Sequence, residues 1–234
     1  MPHVQHDEGH MQRALATAGL APALNAGFVP AVMPRPEPRS ATQRTLEADE
    51  EVYAEGDRAA HFYRVVSGAV RTYRLLSDGR RQIDGFHFPG DIFGIEAGDE
   101  HRLGAEAVTG SIVAVHRRSD RDALAQDAGA LAREVVDSMM RALGRAQDHM
   151  MLLGRKSAKE RIASFLLGLA ERLDAAGVVE LPMSRADVAD HLGLTVESVS
   201  RSLTRLERAG VIEVPAHRRT VVLRDKAALR RLDA

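Results

Sequence analysis

The segment 184–214, SRADVADHLGLTVESVSRSLTRLERAGVIEV, constrains the fold of this chain more than any other stretch. It reads as two helices joined by a tight turn. Ser184 can cap the first helix, with Asp187 three residues on as a polar start signal. Val188, Ala189 and Leu192 then form its apolar face. Gly193 falls where the chain must reverse, and glycine enters the left-handed region without a Cβ penalty. Thr195 can cap the second helix, whose buried face is expected to be Val196, Val199, Leu203 and Leu206. Beyond it, Val211–Val214 and Thr220–Leu223 flank a turn over Pro215–Arg219, a strand–turn–strand pattern. The whole is a winged helix-turn-helix, a layout that places its second helix in the major groove of DNA.

The polar face of that second helix carries Glu197, Ser200 and Arg201 near its start. An ionised glutamate accepts from the cytosine amino group, an arginine donates two hydrogen bonds to guanine, and a serine serves either kind of partner. Most helices with charges along one side merely solvate them. Here the cap, the glycine turn and the hairpin favour base contacts instead. Arg185, Thr195, Ser198, Arg205, Arg208, Arg218 and Arg219 are candidates for phosphate contacts, against the plainer reading of surface charge. The Arg218-Arg219 pair is preferred among them, because a hairpin tip reaches the DNA backbone.

Composition narrows the class. A chain of 234 residues suggests two domains, and 44% hydrophobic residues supply ordinary cores. Net charge is −1, yet from residue 184 onward ten basic side chains stand against seven acidic ones. Basicity is therefore local, as specific DNA binding through placed contacts allows. Cysteine is absent, which removes disulfides, thiolate zinc sites, cysteine-ligated iron–sulfur clusters and thiol switches. No apolar run approaches the ~18 residues of a membrane span. No signal peptide is visible, so the cytoplasm is the expected compartment.

Four segments are expected. Residues 1–44 read as an N-terminal extension, with Pro22, Pro30, Pro34, Pro36 and Pro38 preventing a long helix and Glu8–Ala18 able to form a short one. His3, His6 and His10 invite a metal reading, but HDEGH is not the HExxH of a zinc protease, and a solvated tail is preferred. Residues 45–118 alternate β-like runs with turns: Glu51–Ala54, Phe62–Ser67, Ala69–Leu75, Gln82–Phe88, Ala105–Val108 and Ser111–His116, with a hairpin turn at Ser77-Asp78-Gly79. Six short strands at this spacing argue a jelly roll or β-sandwich. Residues 119–154 read as one long helix, with Leu131, Val135, Met139, Ala142, Ala146, Met150 and Leu153 as an apolar stripe. Such a stripe can pack on its own domain or on a second copy; between a β-domain and a DNA reader, dimerisation is the preferred reading. A second helix, Ala158–Ala175, leads through Gly177 into the reader, giving 155–234 as the DNA-binding domain.

This order of parts resembles the CRP/FNR family of bacterial transcription regulators, over about residues 45–230. One carrying segment is the barrel signature: Gly56-Asp57, Phe62-Tyr63, Val66, Gly68, Val70 and Gly79, then Pro89-Gly90-Asp91-Ile92-Phe93-Gly94. The other is Glu197-Ser198-Val199-Ser200-Arg201, which is similar to the E-x-x-S-R pattern of FNR-type members; cyclic-AMP-responsive members place glycine where Ser200 stands. The resemblance implies an α+β fold: a cyclic-nucleotide-binding-like β-jelly roll, a long dimerisation helix and a C-terminal winged helix-turn-helix. It also implies a homodimer on double-stranded DNA, with half-sites close to TTGAT in an inverted repeat. Glu197 and Arg201 would read the G·C pair, and Ser200 a neighbouring thymine. RNA polymerase is the implied protein partner, through loops of the β-domain and the segment before the helix-turn-helix.

The departures matter equally. Family members that bind cyclic nucleotides carry a Gly-Glu pair after the Pro-Gly-Asp turn, then an Arg-Ser or Arg-Thr pair for the phosphate. Aligned on Ala105, those last two positions hold Leu103 and Gly104. A phosphate buried against leucine lacks compensation, at a cost of several kcal/mol. Arg102, one residue away in a strand, falls on the opposite face. FNR-type oxygen sensing needs cluster-binding cysteines, which are absent. The chain thus resembles the FixK branch, whose members act downstream of a separate oxygen sensor on microaerobic or nitrogen-fixation genes, with no cofactor. Two rivals remain: a family member gated by another small molecule in the barrel, and a metal-dependent cupin enzyme, which would need clustered ligands where His61, His87, His101 and His116 are scattered. No Ser-His-Asp, P-loop or Rossmann spacing supports any other enzyme.

Overall fold

The computed structural model describes residues 42–119, 130–215 and 219–233. The expected extension up to residue 41, with its three histidines, and the first part of the expected long helix lie outside them. So do Arg218 and the side chain of Leu131.

Two four-stranded antiparallel sheets face each other. One has the order β1 (Thr42–Leu46), β8 (Ser111–Arg117), β3 (His61–Ser67), β6 (Ile92–Phe93). The other has the order β2 (Glu51–Tyr53), β7 (Gly104–Ala107), β4 (Val70–Leu75), β5 (Arg81–His87). Side chains alternate across each strand. From β3, Tyr63 and Val65 enter the core between the sheets, with Leu46, Val70, Phe93 and Val113. Phe62, of opposite parity, packs outward with Ile92 and Val135. Gly68 joins β3 to β4 where nothing larger fits: a Cβ there would lie 2.3 Å from Ser111 Oγ. That hydroxyl instead accepts from Ala69 N–H at 3.1 Å and ties the hairpin to β8.

β1 lies partly inside the expected extension. It starts at Thr42, in register with Val115, and runs to Leu46 opposite Ser111. Only Leu46 of its residues is buried, so the hydrophobic pattern carries almost no strand signal. The two-residue β6 is likewise too short to show a period.

α1 (Ala130–Arg155) crosses the barrel, and α2 (Ala158–Arg172) follows after a short break. The winged domain adds β9 (Val178–Glu180), α3 (Arg185–Leu192), α4 (Val196–Arg208), β10 (Ile212–Glu213), β11 (Thr220–Leu223) and α5 (Lys226–Asp233). β11 pairs with both β10 and β9, so the wing has three strands rather than two. α5 was also unexpected. It is capped by Asp225, whose carboxylate accepts from Ala228 N–H at 2.8 Å, and it buries Leu229 completely. Ile162, Leu166, Leu192, Leu206 and Leu229 form one apolar core with Ile83, Phe86 and Phe88 of the barrel. The head and the barrel therefore share buried surface.

Candidate nucleic-acid interface

The reading head is built as its residues dictate. Ser184 caps α3 reciprocally: its hydroxyl accepts from Asp187 N–H at 3.1 Å, and Asp187 accepts from Ser184 N–H at 3.0 Å. Gly193 ends α3 in the left-handed region, with φ 61° and ψ 42°. The chain turns at once, and Thr195 caps α4 by accepting from Ser198 N–H at 3.2 Å.

Val199, Ser202, Leu203 and Leu206 form the buried face of α4. Val196 was expected among them and is instead 42% exposed. It occupies the first helical position, one turn above the core, where the helix has already lifted off the domain. Sequence periodicity alone places a residue on a face but not at an end. Val196 joins Thr195, Glu197, Ser200 and Arg201 around one open surface depression.

Glu197, Arg201, Arg205 and Arg208 are exposed, and Ser198 and Ser200 half-buried. The carboxyl of Glu197 is held below the ordinary range, first by a backbone N–H, then by the Thr195 hydroxyl, with a smaller attraction from Arg201. It is a ready acceptor at neutral pH. Arg201 Nη2 donates to Ser198 Oγ at 3.4 Å, and Arg185 Nη1 donates to Ser200 Oγ at 3.3 Å. Arg185, taken from the sequence as a phosphate contact, is thus engaged with a base-reading candidate. Arg219 is exposed at the edge of the wing.

The barrel interior is filled by aromatic rings. Tyr53 stacks on His101 with centroids 3.7 Å apart and on Tyr63 at 5.4 Å, and Phe93 closes on Tyr63 at 5.4 Å and on His87 at 5.0 Å. Burial pushes the Tyr53 hydroxyl well above its usual range and raises that of Tyr63. Gly94 leaves room for them, since a Cβ there would lie 3.1 Å from the Tyr63 ring and 3.2 Å from that of Tyr53. Arg102 is exposed and pairs with Glu96 at 3.2 Å. Leu103 is half-buried, and Gly104 is buried with Tyr73 close by. The scattered histidines are engaged by rings: His116 stacks on Phe62 at 4.9 Å, while His61 is exposed.

The expected stripe on α1 divides. Val135 is buried against Phe62 and Ile92 of its own barrel, and Glu134 beside it pairs with Arg64 at 2.9 Å. Leu153 packs half-buried on the winged-domain core. Ala142 and Ala146 are exposed. The large exposed apolar residues are Val136, Met139, Met140, Leu143, Met150 and Met151, each between 48% and 66% exposed. At 3.6 residues per turn this set is rotated about a quarter turn from the one read in the sequence, sharing Met139 and Met150. Of the residues that spacing assigns to a partner, Val135 packs on the barrel and Leu153 on the winged domain, while Met139, Ala142, Ala146 and Met150 stay exposed.

Among the described residues no helix is long and apolar enough to cross a membrane. A model of the Crp-like helix-turn-helix domain matches residues 160–232, and one of the cyclic nucleotide-binding domain matches 43–127. The nitrogen fixation regulation protein FixK of Rhizobium meliloti is 46% identical over 163 residues, 70% of this chain and 74% of that protein. FixK of Azorhizobium caulinodans is 47% identical over 198 residues, 82% of this chain and 79% of that one. The structure of FixK2 from Bradyrhizobium japonicum matches with a TM-score of 0.78 at 48% identity, covering 83% of this chain and 98% of that chain. With its jelly-roll barrel and winged head, the chain belongs to the CRP/FNR family of DNA-binding transcription regulators, in the FixK group, and is not an enzyme.

Proposed function

We propose that this regulator binds as a homodimer to an inverted repeat with TTGAT-type half-sites, without cyclic AMP and without an iron–sulfur cluster. The observation that carries this reading is the capped start of α4, which presents Glu197, Ser200 and Arg201 together on an open surface. Glu197 accepts from cytosine N4 and Arg201 donates to the paired guanine. Ser200 meets a neighbouring thymine. Val196, an exposed apolar group beside them, suits a thymine methyl. Thr195, Ser198, Arg205, Arg218 and Arg219 contact phosphates and set the register, with Arg185 and Arg208 beside them.

The exposed stripe of α1 supports the homodimer, because six large apolar side chains on one helix face favour burial against a second copy. Two-fold symmetry then places the recognition helices about one DNA turn apart, ~34 Å. The aromatic packing of Tyr53, Tyr63, Phe93 and His101 supports independence from a nucleotide, since stacked rings fill the space between the sheets. Control of microaerobic or nitrogen-fixation genes, in the cytoplasm and through contact with RNA polymerase, follows from the likeness to FixK proteins. The domain roles are a barrel from 45 to 118, a dimer helix from 119 to 154 and a DNA-binding domain from 155 onward, with β1 extending the barrel to Thr42.

The test is binding by purified protein to a TTGAT inverted repeat at fixed salt, with and without cyclic AMP. Equal binding in both arms is expected. Binding that appears only with cyclic AMP contradicts the barrel argument, and no preference over scrambled DNA contradicts the reading of α4.

A further inference from the structure

The winged domain meets the barrel at two places: α2, where Arg172 donates to Asp91 at 2.6 Å and to Phe86 O at 2.7 Å, and α3, which lies against β5 and β4. Arg81, on β5, donates to both carboxylates of α3: Nη2 to Asp187 at 2.5 Å and Nε to Asp190 at 2.9 Å. Arg71, on the neighbouring β4 and almost wholly buried, reaches the same oxygen of Asp187 at 3.4 Å. Glu106 and Asp49 hold the rest of its guanidinium, at 2.5 and 2.8 Å. One turn on, the His191 ring lies 3.1 Å from Ile83 O, and Gln82 Nε2 donates to His191 O at 3.3 Å. α3 is thus tied to the barrel at both ends, by ion pairs at its start and by a ring and a carbonyl at its finish.

The chemistry makes this joint directional. An arginine fork spanning two carboxylates fixes angles as well as distance. Asp187 is buried, so it needs these partners, and it also closes the capping box of α3. The tight turn at Gly193 couples α3 to α4. Whatever fixes the angle of α3 on the barrel therefore fixes where α4 points.

We infer that Arg81 is a positioning residue for DNA reading: with Arg71 it locks the winged domain on the barrel, so that a dimer presents its two recognition helices at a single spacing with no effector required. This rests on the dimeric reading proposed above. A two-headed reader gains from its second head only if that head arrives at the second half-site, and a head on a loosened joint has a lower effective concentration there. It also tolerates wrong spacings that a locked pair rejects.

The experiment compares the full-length protein with Arg81→Ala and Arg81→Lys. Each is measured on the inverted repeat, on repeats with one base pair added or removed at the centre, and on a single half-site. For Arg81→Ala, affinity on the best repeat falls about tenfold and discrimination between spacings collapses, while half-site binding and base preference stay at wild-type values. Arg81→Lys restores part of the discrimination, because an ammonium keeps the charge without the fork. Asp190→Asn, at a partly exposed position, carries the same test if Arg81→Ala does not fold. Spacing discrimination unchanged in a folded variant overturns the inference while leaving the dimer intact. A wild-type protein that binds one half-site as tightly as the repeat overturns the dimeric reading, and the inference with it.

Discussion

The barrel interior and the polar face of α4 use similar residue types to opposite ends. In the barrel, tyrosine, histidine and arginine already have protein partners: Tyr53 lies on His101, and Arg71 is held by Asp49 and Glu106 of the barrel and by Asp187 of α3. On α4 the acid, hydroxyl and guanidinium of Glu197, Ser200 and Arg201 face solvent and have few protein partners. A domain that has filled its own interior this way suits the effector-free binding proposed above. A helix that leaves its donors and acceptors outward keeps them available to a ligand. The contrast fits the proposed division of tasks, a scaffold that holds and a face that reads.

The largest effect tests the other open surface. Met140→Glu, in the exposed stripe of α1, places a charge in the proposed dimer face. Sedimentation should find monomers, and affinity for the inverted repeat should fall by about 10²–10⁴ as the second head is lost. Unchanged mass would move the interface elsewhere.

In the closed region the response should be stability. Tyr63→Ala empties part of the aromatic stack and should cost about 3–5 kcal/mol in denaturant unfolding, as large-to-small core changes do. Base preference on DNA should not change. A variant of normal stability would mean that the stack is not the scaffold described.

Acid sharpens the same contrast. Burial holds the imidazoles of His87 and His191 down to about 4, and lowers His149, whose ring stacks on His191 at 4.2 Å. These rings are neutral in the fold, whereas in the unfolded chain they take a proton near 6.5. Stability is therefore full above about pH 6.5 and drains as pH falls toward 4, by on the order of 3 kcal/mol for each of the two deeper rings. Urea midpoints between pH 7.5 and 4.5 check this, and His191→Phe should flatten the slope.

The smallest effect is the most local. Arg201→Ala should lower specific affinity by about 1–3 kcal/mol and relax preference at one base pair. Unfolding should shift by no more than about 0.5 kcal/mol, because the side chain is exposed. An equal loss on matched and mismatched DNA would make Arg201 a phosphate contact only.

The caps and the glycine turn of the head were legible from residues 184–195 because each depends on a local rule of one or two side chains. Six of the eight described barrel strands, all but β1 and β6, are legible from short runs of alternating side chains between turns. What escaped depends on neighbours distant in sequence. β1 has no alternating pattern because it is an edge strand with one buried residue. Val196 follows the apolar period but sits where the helix leaves its domain. On α1 the apolar spacing marks a stripe but does not declare that Val135 within it packs on the helix's own barrel, nor that Val136, Met140, Leu143 and Met151 beside it stay exposed. Arg71 and Arg81 were not singled out at all, since nothing nearby in sequence marks an arginine for a carboxylate more than a hundred positions away.

Guanine N7 protection gives the most direct check of the central claim that α4 reads base edges. Purified protein is bound to a TTGAT inverted repeat and probed with a methylating reagent. The account predicts one protected guanine in each half-site, about one helical turn apart on the same face, with both protections lost in Arg201→Ala. Both guanines remaining reactive while the protein stays bound would contradict it.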